Sequence, residues 1–175
     1  MLQHRHHRKK HDDRLLAAEH AVTRILATAA ELRDAVPGVV RAICESLGWD
    51  CGAVWTLDKA AQVLRCVDAW HMPDVSVSQF EQVSRRWAFE KGIGLPGRIW
   101  STEKPAWIPD VPHDANFPRA AIAAQEGLHA AFGFPIHDGV EFLGVLEFFS
   151  RCIRKPDQRL LDMMGTVGGQ NQPVH

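Results

Sequence analysis

Four cysteines (Cys44, Cys51, Cys66 and Cys152) stand singly in this chain, with no C-x-x-C pair and no dense spacing. That lack excludes a disulfide scaffold and fits free, mostly buried thiols in a reducing compartment. Charge of one sign is lacking too. The formal net charge is -1, so no global field favours nucleic acid or anionic lipid as a partner. There is no apolar run of membrane length and no signal-peptide-like start, so membrane insertion is not expected and a cytoplasmic location is the default. No G-x-x-x-x-G-K-[ST] loop, no short zinc-ligand spacing and no internal repeat occurs. What remains is 46% hydrophobic and 23% charged over 175 residues, the composition of one soluble globular domain with a single sizeable core.

Residues 1–11, MLQHRHHRKKH, carry almost nothing apolar. They read as a disordered, solvated tail rather than a metal tract or nucleic-acid arm, because they cannot bury a core. From Asp12 the pattern turns helical. Leu15, Ala18, Val22, Ile25, Ala29 and Leu32 recur at alternating spacings of three and four, an a/d seam over residues 12–34. Such a seam packs either on the domain's own sheet or on the same helix of a second subunit. The second is the expectation, with Leu15, Val22, Ile25 and Leu32 as a homodimer interface.

Pro37-Gly38 reads as a break, and Val39, Val40, Ile43, Cys44 and Leu47 form the apolar face of a second helix. Ala53–Leu57 and Val63–Trp70 read as a hairpin, and Ser78–Ala88 as a helix. Ala130–Ile136 and Phe142–Phe149 are two apolar runs joined through Asp138-Gly139, a hairpin signal, and their continuity marks central strands covered on both faces. Val54, Trp55, Phe132, Phe134, Val145, Leu146 and Phe148 are the expected sheet core. Pro156-Asp157 opens a last helix, and residues 166–175 read as a frayed tail. The fold class is α+β: a single antiparallel sheet of five or six strands with helices packed on it.

The chain is organised around Gly92–Val111, GIGLPGRIWSTEKPAWIPDV. Gly92, Gly94, Pro96 and Gly97 force a sharp turn, followed by a short helix near Leu95 and a short strand at Ala106-Trp107-Ile108. The order G-x-G-x-x-G-R-x-W, then K-P-x-W-I-x-D-V, resembles the middle of GAF domains, sensory modules of bacterial signalling proteins. Leu47–Trp55 upstream, and Gly127–Ile136 and Phe142–Ser150 downstream, are similar to their first and last strands. The resemblance covers residues 35–165. It implies terminal helices together on one side of the sheet and a ligand pocket under the middle connection. It also implies an output domain outside these residues, such as a histidine kinase.

The chemistry of the better-known relatives is missing. Free methionine sulfoxide reductases use a cysteine where this chain has Gly94-Leu95-Pro96-Gly97, and a thiol nucleophile has no substitute in Leu or Pro. Bilin-binding relatives attach their chromophore through a cysteine, yet none occurs between Cys66 and Cys152, so a covalent bilin is not expected. The Asn-Lys…Phe…Asp-Glu set of the cyclic-nucleotide binders is absent. His71, His113 and His129 have haem or zinc readings, but isolated histidines at such spacings do not make a ligand set, so neither is expected. No catalytic residue is identified. An unknown small molecule would be bounded by His71, Phe80, Trp87, Trp107, Asp110, Phe117, Ile122 and His129. The same aromatics could instead be core, leaving a ligand-free dimerisation platform.

Overall fold

The computed structural model describes residues 2–28 and 32–168, and the side chains of 2–25 and 34–165 among them. Helices α1 (Leu2–Thr28) and α2 (Leu32–Leu47) precede the hairpin β1 (Cys51–Asp58) and β2 (Val63–His71). The middle connection holds α3 (Ser78–Arg86), the short strand β3 (Ala88–Phe89), α4 (Gly94–Thr102), β4 (Ala106–Ile108), a 3-10 turn at Val111–His113 and α5 (Ala120–Gln125). A second hairpin, β5 (Ala130–Asp138) and β6 (Glu141–Ser150), and helix α6 (Gln158–Gly168) complete the chain. The strands form one six-stranded antiparallel sheet in the order β3-β2-β1-β6-β5-β4.

Strand alternation splits the interior into two cores. On β6, Leu146 and Phe148 face α1, α2 and α6, whereas Val145, Glu147 and Phe149 face the middle connection. The helix-side core adds Val54, Phe132, Phe134, Leu160 and Met164. The other is built from Trp55, Leu64, Phe80, Phe89, Ile99, Phe117 and Ala131. Both faces of β1, β5 and β6 are thus covered, which is why those segments are apolar without a break. All seven expected core residues are buried, and α1 and α6 share one side of the sheet.

Three expectations about the N-terminal region need correction. Residues 2–11, expected as a disordered tail, are the first turns of α1 and remain exposed. Arg and Lys are good helix formers, and Asp157 and Arg159 at the start of α6 bind His11 (2.7 Å) and Asp12. Pro37 and Gly38 lie inside α2. Proline's fixed φ suits a helix, so near the N-terminal end the cost is one lost backbone bond rather than a break. The third concerns the seam. Leu15, Ala18 and Val22 are buried in their own chain against α2 and α6, and Ile25 packs over Gly38. The apolar stripe therefore has an intramolecular partner. Ala29 lies outside the described residues, as does the side chain of Leu32; of the expected frayed tail, 166–168 continue α6 and 169–175 are not described.

The cysteines are free. Burial, then the Asp50 and Glu45 carboxylates, pushes the Cys44 thiol up to about 12 from its ordinary 9.0. Burial pushes Cys66 up to about 11, and Cys51 well above 9.0. Cys152 alone among the four is exposed.

Two measurements check this architecture. Leu146→Ala, at a site 2% exposed, is expected to lower the denaturant-derived stability by about 2–5 kcal/mol, the usual range for such a cavity. The folded chain holds the thiol protons of Cys44 and Cys66 more tightly than the unfolded chain. Their contribution is intact below pH 9.0 and is lost as pH rises toward about 11 for Cys66 and about 12 for Cys44. Replacing both by Ala is expected to flatten this alkaline fall, read as Tm against pH. In the native protein a thiol reagent is expected to modify Cys152 first.

Candidate functional site

The middle connection folds over the sheet where a ligand chamber was expected, and two short motifs hold it down. Gly94 has φ +68°, a left-handed conformation, and a Cβ there would lie 2.4 Å from the Phe89 ring. A Cβ on Gly97 would lie 2.4 Å from the Glu90 carbonyl oxygen. Only glycine closes this turn. Asn116 then locks the three-proline loop onto it: Gly94 N–H donates to Asn116 Oδ1 (2.9 Å), and Asn116 Nδ2 donates to the Gly92 carbonyl (3.0 Å). Arg98 on α4 pairs with Asp114 and donates to the Asn116 carbonyl (2.8 Å). At the far end, Glu126 accepts from the backbone N–H groups of Gln79 (2.8 Å) and Phe80 (3.1 Å), so the segment after α5 caps α3.

Beneath this lid sits a charge pair. Arg119, the residue before α5, is 1% exposed, and Glu147, mid-strand on β6, is 0% exposed. Arg119 donates to both Glu147 carboxylate oxygens, Nη1 to Oε1 at 2.8 Å and Nη2 to Oε2 at 2.9 Å. Nη1 also donates to Ser84 Oγ (3.0 Å), and the Trp55 indole N–H donates to Glu147 Oε1 (2.7 Å). Five rings surround the guanidinium carbon at 4.9–5.5 Å: Trp55, Phe80, Phe89, Phe117 and Phe149. Arg119 Nε is buried without an acceptor.

The expected site residues divide. Phe80 and Phe117 are in the cage around Arg119, Trp87 stacks on Phe89 (5.8 Å), and Ile122 packs at the same core's edge. His129 and Asp110 pair with each other at 2.8 Å, part-exposed, at the ends of β5 and β4. His71, pairing with Cys51 at the end of β2, turns its Nδ1 to the Met72 carbonyl (2.9 Å). Trp107 is a correction. It lies across the sheet in the helix-side core, stacked on Phe132 (5.6 Å) and donating its indole N–H to the Arg154 carbonyl (2.9 Å). On a strand, neighbours face opposite ways, and it is Ile108 that faces the connection.

Arg119 and Glu147 were not singled out in advance. Glu147 carried a signal, being the only charge in the run Phe142–Ser150. A carboxylate in a strand covered on both faces must find a partner. Arg119 carried none, since a cation after three prolines reads as surface.

The cavity under α3, lined by Ser84, Phe80, Trp70 and Phe149 among others, has about 20 Å³, the space of roughly one water. A wider open groove of about 620 Å³ runs along the helix side of the sheet past Val36, Val54, Val67 and Ile136. Thr56 and Asp68 are among its polar lining residues.

A family model described as GAF domain matches residues 29–170, most of the chain and all of the sheet. The chain belongs to the GAF domain family. The Nif-specific regulatory protein of Azospirillum brasilense is 26% identical over 163 residues, covering 88% of this chain and 25% of that protein. The chain therefore spans about a quarter of the length of that relative. Among solved structures, the GAF domain of a Coxiella burnetii phosphoenolpyruvate-protein phosphotransferase superposes with TM-score 0.72 at 20% identity, over 90% of this chain and 89% of that one. A free methionine-R-sulfoxide reductase from Neisseria meningitidis, in complex with its substrate, gives TM-score 0.69 at 14% identity, over 90% and 89%. At such identities the likeness carries the fold only.

The pair's contribution can be measured. Arg119→Ala, which strands a buried carboxylate, is expected to cost about 3–5 kcal/mol. Arg119→Met combined with Glu147→Leu is expected to recover most of that loss, because neither charge is then buried alone. A double-mutant cycle by urea unfolding reads both, and additive losses would mean that the two groups do not act as a pair.

Proposed function

We propose that this GAF domain is a non-catalytic sensory coupler. The compartment around Arg119 and Glu147 is its input, the terminal helices α1 and α6 are its output, and the effector domain lies outside this chain. The observation that carries the reading is the position of Glu147. Its carboxylate closes the lid on one face of β6, while its neighbours Leu146 and Phe148 pack on the other face in the core that holds Leu160 and Met164 of α6. A change in what Glu147 binds shifts the strand that both cores share. A ligand biases such a switch only through different affinities for its paired and parted forms. The absence of a thiol at 94–97 speaks against the reductase chemistry of a structural relative. An effector domain outside these 175 residues fits a chain that covers 25% of a regulatory protein; a cytoplasmic setting goes with that reading, and no described helix is long and apolar enough to cross a membrane.

A second reading is the ligand-free interaction platform, favoured by the fully buried charge pair and the groove beside α2. In that case the domain associates with a second copy or another protein, and the groove rather than the buried seam supplies the surface.

Hydrogen exchange separates the two. In Glu147→Gln, the coupler predicts faster exchange in α6 and α1, across the sheet from the substitution. If the change stays within residues 109–126 and α3, the chamber is not connected to the helices and the platform reading stands.

A further inference from the structure

We propose that the chamber, read as the coupler's input, takes a small zwitterion of the α-amino acid class. The ligand's carboxylate replaces Glu147 on Arg119, and its ammonium group replaces Arg119 on Glu147. The proposal rests on which parts of the fold carry the two charges. Glu147 belongs to the floor, its strand bonded on one side to β1 at Ala53 and on the other to β5 at Gly133. Arg119 belongs to the lid, at the end of a three-proline loop that side-chain bonds from Asn116, Arg98 and Glu126 tie down. Lifting that loop separates the charges without breaking a strand pair.

What the parted charges accept follows from electrostatics. In an aromatic enclosure an unpaired ion is costly, so a ligand must answer both. A monocarboxylate leaves Glu147 unpaired, and a simple amine leaves Arg119 unpaired. A zwitterion answers both and adds no net charge. Two further details favour it. Arg119 Nε, buried and without an acceptor in the closed form, is a donor in reserve for a carboxylate that approaches side-on. Ser84 Oγ and the Trp55 indole N–H already point at the pair and would hold the two ends. Phe80, Phe117 and Phe149 would cover the ligand's carbon skeleton. Since Arg119 and Glu147 are 1% and 0% exposed, entry requires the loop to lift, and that movement is the signal.

The test uses the full chain. Tm and tryptophan fluorescence are read with each standard L-amino acid at millimolar concentration, alongside propionate and ethylamine as single-charge controls. One or a few amino acids are expected to raise Tm by about 5 °C at saturation and to change the fluorescence. Glu147→Gln should weaken binding by about thirtyfold or more. Should that variant fail to fold, Arg119→Lys keeps the charge and loses the fork, and is expected to weaken binding in the same assay. The proposal is overturned if no amino acid acts, if propionate or ethylamine acts equally, or if Glu147→Gln or Arg119→Lys binds as the native chain does. If no amino acid acts yet α6 still exchanges faster in Glu147→Gln, the zwitterion falls and the coupler stands. Amino-acid binding without any response in α6 would leave the site and remove the coupler.

Discussion

A guanidinium shut away from water among five aromatic rings is tolerable only because a carboxylate meets it with both oxygens. Much of the molecule serves that meeting. The sheet brings Glu147 to mid-floor, the Gly92–Gly97 turn and Asn116 set the height of the loop that delivers Arg119, and Trp55 and Ser84 take up remaining hydrogen-bonding capacity. Replacing the pair by apolar residues of equal volume would cost the fold little by general experience. Stability alone therefore does not explain a charge pair at the centre of this domain. The switch proposed above would, because a pair near break-even against its alternatives can be parted by a modest ligand.

The two faces of β6 make this arrangement mechanically economical. Residues 145, 147 and 149 address the connection, and residues 146 and 148 the terminal helices. The same backbone is in contact with both layers. The helix-side core is tightly built, with Trp107, Phe132 and Phe148 stacked in sequence at 5.6 and 4.9 Å and Trp49 edge-on to Phe132 at 4.6 Å. Packed cores of this kind shift between discrete arrangements rather than deform smoothly.

The N-terminal helix illustrates how one pattern supports two structures. An apolar stripe at alternating three- and four-residue spacing is what a dimer seam needs, and also what a helix needs to lie on its own domain. Here Leu15, Ala18 and Val22 are covered by α2 and α6. Periodicity states that a face is to be buried and is silent on which surface buries it.

Local chemistry determined much of this protein in advance. Alternation and turn residues defined the two hairpins, the apolar runs 130–136 and 142–149 declared central strands, and glycines at 92–97 demanded a turn that other residues could not make. The motif order around that turn identified the family. Those features are written in neighbouring residues, so they are legible one stretch at a time. The site was not. Arg119 and Glu147 are 28 residues apart, on a loop and a strand, and although Glu147 is the only charge in its strand run, neither neighbourhood names the partner. Trp107 and Ile108 are adjacent, yet only the sheet's orientation decides which of them faces the lid. Whether aromatics line a pocket or fill it depends on how far the lid descends, and that distance is set by the reach of Asn116, Arg98 and the charge pair. These are long-range packing and electrostatic terms, and they take values only when the chain has closed on itself.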